Sequence, residues 1–251
     1  MARLKRKSWD RYAARQAAQR DAASDEMVDF VLESTRTPAR ALIVGKAAQL
    51  AVKHGKAAAA LACVWYEQVA AEAGADVPKA VPVVVANRGR IGAIVDKAVP
   101  LLEAGAVDEY AKACGVAVAN EVKRSDSRTM LSNARRDGAQ FAWVPQGGET
   151  CAFCIAVASN GWTYARKGTV ESHADHIHPN CQCEFAIRFD DKGGVAGYDP
   201  KYYEDKYDAA DGGNSKDKIN AMRRANYEAH KKEMQAYQRE RYAIRNGNAE
   251  E

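Results

Sequence analysis

Apolar and polar positions along this chain follow two different periods, and the change of period divides it. From residue 8 to about residue 136 the apolar residues recur at helical spacing. Residues 8–34 are rich in Ala, Arg, Gln and Glu, and Met27, Phe30, Val31 and Leu32 give the short stripe of a helix. Thr37 and Pro38 read as a helix start, because Thr can cap free backbone N–H groups and Pro is tolerated at the first helical position. The Ala-rich segment that follows, with Leu61, Val64, Trp65 and Val69 on one face, is predicted helical to about Ala73. Gly45 and Gly55 predict a kink or close packing within it, and Gly74 and Pro78 end it. Pro78 to Pro82 reads as a linker. Ile91, Ile94, Val95, Ala98 and Leu102 mark one further helix face, and Val107, Tyr110, Ala111, Cys114 and Val118 another. Ser125 to Arg128 is read as opening a separate short helix, which Asp137 and Gly138 stop.

At Gly138 the period becomes two. Phe141 and Trp143 share one face of a short strand ending at Pro145. Residues 152–160 suit one or two helical turns closed by Asn160 and Gly161. Cys183, Phe185, Ile187 and Phe189 then alternate with Glu184 and Arg188, the cleanest strand pattern in the chain. Beyond Phe189 a linker leads to Tyr198, Tyr202, Tyr203 and Tyr207, which suit an interface or a packing strip. Ser215 to about Arg245 predicts a long charged helix with sparse apolar residues, either solvated or reserved for a partner.

These patterns predict an α+β chain, predominantly α, in three parts. Residues 1–137 form a helical bundle with a basic N-terminal arm, 138–190 a small metal-stapled module with short strands, and 191–251 a linker and a charged, Tyr-rich helical tail. The module is too small to have much core of its own, so metal ligation is expected to supply much of its folding energy. With 47% hydrophobic residues in 251, a buried core is available. No apolar run approaches the roughly 20 residues of a membrane helix, and the basic start lacks an apolar stretch behind it. The expectation is a soluble protein made in a reducing compartment. The net charge of +4 matters less than its placement: Arg3, Lys5, Arg6, Lys7 and Arg11 crowd the start, where they suit nucleic acid or an acidic surface.

The densest chemistry lies in the module. Four of the six cysteines and three of the five histidines fall between Cys151 and Cys183. Soft thiolates and imidazole at such spacing are what a tetrahedral zinc site requires. Cys151 and Cys154 supply one pair; the second comes from His178, Cys181 and Cys183, with His173 and His176 as further donors. With four or more soft ligands at hand, a closed structural site is favoured over a catalytic one, for which Glu149 and Glu184 are the nearby bases. Cys63 and Cys114, on apolar helix faces, read as inert thiols. No phosphate-binding glycine loop, nucleophile elbow or H-E-x-x-H motif occurs.

At Cys151-Ala-Phe-Cys154 and His178-Pro-Asn-Cys181-Gln-Cys183 the chain resembles the MuF-like minor head proteins of tailed phages. The likeness takes in the Phe141 to Pro145 strand, the Gly147 to Thr150 turn, the small-residue helix from Ile155 to Gly161, and Trp162 to Tyr164, so it covers roughly residues 125–190. It implies a structural, non-enzymatic virion protein inside the capsid near the portal vertex, assembled in the host cytoplasm. Portal protein, scaffold or major capsid protein are the implied partners, and packaged double-stranded DNA a further one. Two other functions compete with it: a zinc-dependent nucleic-acid-binding module, and a zinc hydrolase or nuclease using His173 or His176.

Overall fold

The computed structural model describes residues 6–34, 37–146, 150–165, 177, 181, 183–191 and 193–245. Four helices come first: α1 (Arg6–Leu32), α2 (Arg40–Ala73), α3 (Arg88–Glu103) and α4 (Val107–Asp137). Then follow β1 (Gln140–Val144), α5 (Ala152–Ala158), β2 (Thr163–Tyr164), β3 (Glu184–Arg188), α6 (Pro200–Asp208) and α7 (Ser215–Arg245). The chain is therefore mostly helical, with one small antiparallel sheet in the order β2-β1-β3. Among the described residues no helix is long and apolar enough to cross a membrane.

Helix α4 is the axis of the bundle, packed against α1, α2 and α3. It is one helix from Val107 to Asp137, so the separate helix expected to open at Ser125 is a continuation of it. Ser125 is fully buried and turns its hydroxyl to the carbonyl of Glu121, one turn back, instead of capping. The start of α2 also differs from expectation: Ala39, not Thr37, occupies the cap position and offers no side-chain bond. Gly138 closes α4 in the left-handed conformation at φ 66° and turns the chain into β1.

The segment expected as a linker is an ordered part of the bundle. Residues 75–87 lie extended along α4 as a strap, held by a ladder of side chains. Asn133 both accepts from the N–H of Val81 and donates to its carbonyl, at 2.9 and 3.0 Å. Thr129 and Ser125 likewise accept from the N–H groups of Val83 and Val85, each keeping its single hydroxyl proton for the carbonyl one turn back in α4, while Glu121 accepts from the N–H of Asn87. Four residues of helix rise about 6 Å and two residues of extended chain about 6.6 Å, so the two repeats run in step. Gly55 of α2 permits the close approach: a Cβ there would stand 2.7 Å from the Ser125 hydroxyl.

Two apolar clusters hold these elements. One lies within the helices and contains Met27, Val31, Ile43, Leu50, Ile91, Val95, Cys114 and Val118. The other is shared between the helices and the sheet. It joins Trp9, Tyr12, Trp65, Tyr66, Met130 and Leu131 to Phe141, Trp143, Phe185, Ile187, Cys154 and Cys181. Trp143 meets Phe185 edge-on at 4.4 Å across the β1–β3 pair, which runs in register from Gln140 opposite Arg188 to Val144 opposite Glu184. Helices α6 and α7 both pack on α5. No side chain described in α6 or α7 is buried, and from Arg223 onward most stand exposed.

Candidate metal centre

The C-x2-C turn and the C-x-C segment meet where α5 and β3 begin. Cys151 has extended backbone at φ −67°, ψ 156° and caps α5, its sulfur accepting from the N–H of Cys154 at 3.4 Å. This cap turns Cys154 inward. The sulfurs of Cys154, Cys181 and Cys183, all buried, lie within 4.8 Å of one another. Cys154 and Cys181 are 3.9 Å apart. A disulfide needs about 2.05 Å, which excludes one here. Tetrahedral zinc, with metal–sulfur bonds of about 2.3 Å, spaces its sulfurs about 3.8 Å apart, so this trio fits an ion of that class. Three soft donors suit zinc, copper(I) or iron–sulfur chemistry better than a hard cation.

Cys151 stands exposed at the rim, and its sulfur hydrogen-bonds the Cys154 thiol. Contacts with Cys151, Cys181 and Cys183, together with burial, push the Cys154 thiol far above its ordinary range. The contact with Cys154 favours the Cys183 thiolate, but Cys181 and burial outweigh it and push that thiol up to about 12. Crowded thiols of this kind stay protonated until a cation takes the place of their protons. His178, His173, His176 and Glu149 lie outside the described residues, as do Arg3 and Lys5. Arg6 pairs with Asp10 at 2.8 Å on the exposed surface of α1, and Lys7 and Arg11 are exposed beside it.

Around the thiols is a buried polar network that reading the sequence did not find. Lys123 of α4, 2% exposed, donates to the carbonyl of Cys181 at 2.8 Å and to that of Cys183. Arg124 reaches the carbonyl of Ile177 at 3.4 Å and pairs with Glu121 at 2.7 Å. Glu184, placed by the alternation on the strand face opposite Phe185 and named as a nearby base, is fully buried. It receives Arg20 of α1 at 2.7 Å and lies 3.6 Å from Lys123. Asp126 accepts from Tyr12 and from Gln16. Burial first, and the Glu184 carboxylate second, push the Asp126 carboxyl well above the usual carboxylate range. Arg20, Lys123 and Glu184 of this network line a cleft of about 740 Å³ between α1 and α4. The network's one signal in the sequence is the run of charge from Glu121 to Asp126 in a helix that otherwise carries an apolar stripe.

The inert thiols differ in degree: Cys114 is fully buried, with its pKa pushed up to about 11, whereas Cys63 is half-buried. Of the four tyrosines, Tyr198, Tyr203 and Tyr207 are half-buried and Tyr202 is exposed. Tyr198 donates to the carbonyl of Ala158 at 2.8 Å and meets Trp162 edge-on, and Tyr203 hydrogen-bonds Thr150 beside the C-x2-C turn.

A family model described as VG15 protein matches residues 3–210. No curated protein and no solved structure matches the chain.

Proposed function

The chain belongs to the VG15 protein family, a family of phage gene products, and from that premise we propose that it is a structural component of the phage head. In this reading it is a MuF-like minor capsid protein, acting at or near the portal vertex in head assembly, genome packaging or delivery. A zinc ion clamps its cysteine knuckle. The observation that carries the reading is the convergence of Cys154, Cys181 and Cys183 from two separate segments onto one ion-sized space. Cys154 and the two late cysteines hold the ion, and Cys151 or His178 completes the set. The ion supplies a fixed cross-link between α5 and β3 that does not depend on an oxidising compartment. Portal, scaffold or major capsid protein are the partners, with packaged DNA alongside, and no catalytic role is assigned.

Two measurements test this. Metal analysis of purified protein should return one zinc per chain, lost in Cys154→Ser and in Cys183→Ser; Cys151→Ser and His178→Ala then decide the fourth ligand. Purified phage particles should contain the protein at low copy. Metal-free protein of unchanged stability would remove the zinc, and particles lacking the protein would remove the capsid role.

A further inference from the structure

We infer that the outer edge of the strap, from Pro82 to Ala86, is a docking site for an extended strand of another protein, apolar at its centre and acidic at its ends. In extended chain the N–H and C=O of one residue project to the same edge, and those of its neighbours to the opposite edge. Val81 spends both of its groups on Asn133, and Val83 and Val85 spend their N–H groups on Thr129 and Ser125. The carbonyl of Pro82 and both groups of Val84 and Ala86 therefore point away from α4. None of these has a partner among the described residues. The edge becomes free just past Ala80, whose N–H is still taken by Glu67 of α2 at 2.9 Å.

The side chains along it suit a strand and little else. Residues 81–87 carry no ionisable group, and Val81 and Val84 are 57% and 39% exposed. A row of unpaired backbone groups flanked by exposed β-branched residues is the template that strand addition uses. The ladder to α4 holds the row in extended form beforehand, so a partner need not order it.

Charge selects the occupant. Lys79 and Arg88 stand exposed at the two ends, without ion pairs among the described residues. Antiparallel pairing with a second copy centred on Val84 would bring Lys79 of each chain next to Arg88 of the other, like charge against like. A different strand with acidic ends meets both cations favourably. Pro82, which lacks an N–H, limits the site to a short segment.

The test uses the full chain and a synthetic peptide of alternating valine and threonine with aspartate at both ends. In the free protein, the amides of Val84 and Ala86 should exchange with solvent much faster than those of Val83 and Val85. The peptide should bind by fluorescence anisotropy, and Val84→Pro should weaken binding at least tenfold. That variant removes an N–H with no partner in the chain, and Val83 before it is already extended as a proline requires, so its unfolding midpoint should hold. Lys79→Glu with Arg88→Glu should reverse the preference toward a lysine-ended peptide, a reading that decides the matter even if Val84→Pro unfolds. Protected amides at Val84 and Ala86, equal binding of the two peptides, or binding unaffected by Val84→Pro would overturn the proposal. A dimer of the chain abolished by Val84→Pro would overturn the occupant in favour of a second copy.

Discussion

Asp126 shows how one buried proton can settle a whole network. It is 1% exposed, and the groups facing it are Tyr12, Gln16 and Arg20 from α1 and Glu184 from β3. Glu184 Oε2 has no hydrogen-bond partner among the described residues, and the Asp126 and Glu184 carboxyl groups lie within hydrogen-bonding reach of one another. Two carboxylates cannot bond each other, so a protonated Asp126 donating to Glu184 is the arrangement that satisfies both. Raised above its unfolded value, the Asp126 carboxyl contributes stability that is full below the ordinary Asp range. That contribution fades as pH rises from there toward its folded pKa, by about 1.4 kcal/mol per pH unit crossed. Asn has the shape of a protonated Asp and the same donor. Asp126→Asn should therefore be at least as stable as wild type at pH 7 and should lose less stability between pH 5 and 8. Urea unfolding at the two pH values measures this. A variant that is less stable than wild type at pH 7 would mean that Asp126 works as an anion.

The strap is the element in which helix and extended chain solve each other's problem. Ser125, Thr129 and Asn133 are poor interior helix residues because their side chains compete for backbone groups. Val81, Val83 and Val85 have backbone groups with no strand to pair with. Placed at every fourth residue of α4, the three side chains serve every second residue of the strap. Thr129→Val keeps the shape but strands the N–H of Val83, and should cost about 1–3 kcal/mol. Ser125→Ala should cost about as much, whereas Val81→Ala at the exposed edge should fall within about 0.5 kcal/mol of wild type in urea titration. This element also marks where legibility in the sequence ended. The long helices, β1, β3 and the tail were readable because each repeats one period for long enough, and the meeting of Cys154 with Cys181 and Cys183 was readable from their spacing. The strap was not, because its partner is a row of side chains whose polarity reads as solvent exposure. For the same reason Ser125 to Arg128 suggested a helix start, where the structure has the most buried stretch of α4 running into it. A polar residue repeated every four positions, opposite a β-branched run ending in Asn, is the signal that would have found it.

On the scale of the whole molecule, the cysteine module and the helices are joined too closely to melt apart. Their apolar cluster is continuous from Trp9 and Met130 through Phe141 and Phe185 to Cys154 and Cys181. Lys123 and Arg124 hold the carbonyls of the cysteine segment, and Arg20 reaches Glu184 from α1. If the proposed zinc is bound, its loss would loosen Cys181 and Cys183, and with them the acceptors of Lys123, a buried cation that cannot be left without partners cheaply. On the zinc reading, free zinc at a thousandfold excess over its dissociation constant adds about 4 kcal/mol. For a chain of this size that is a shift of about 8–16 °C in melting temperature. Chelation should therefore lower a single transition by about that much, with helical circular dichroism and tryptophan fluorescence moving together. Lys123→Met should reproduce part of the loss and also weaken zinc binding by about tenfold or more, because groups that orient metal ligands commonly carry that much. Two separate transitions, with the helical signal indifferent to chelator, would show instead that the knuckle folds on its own account and that the buried cations merely rest against it.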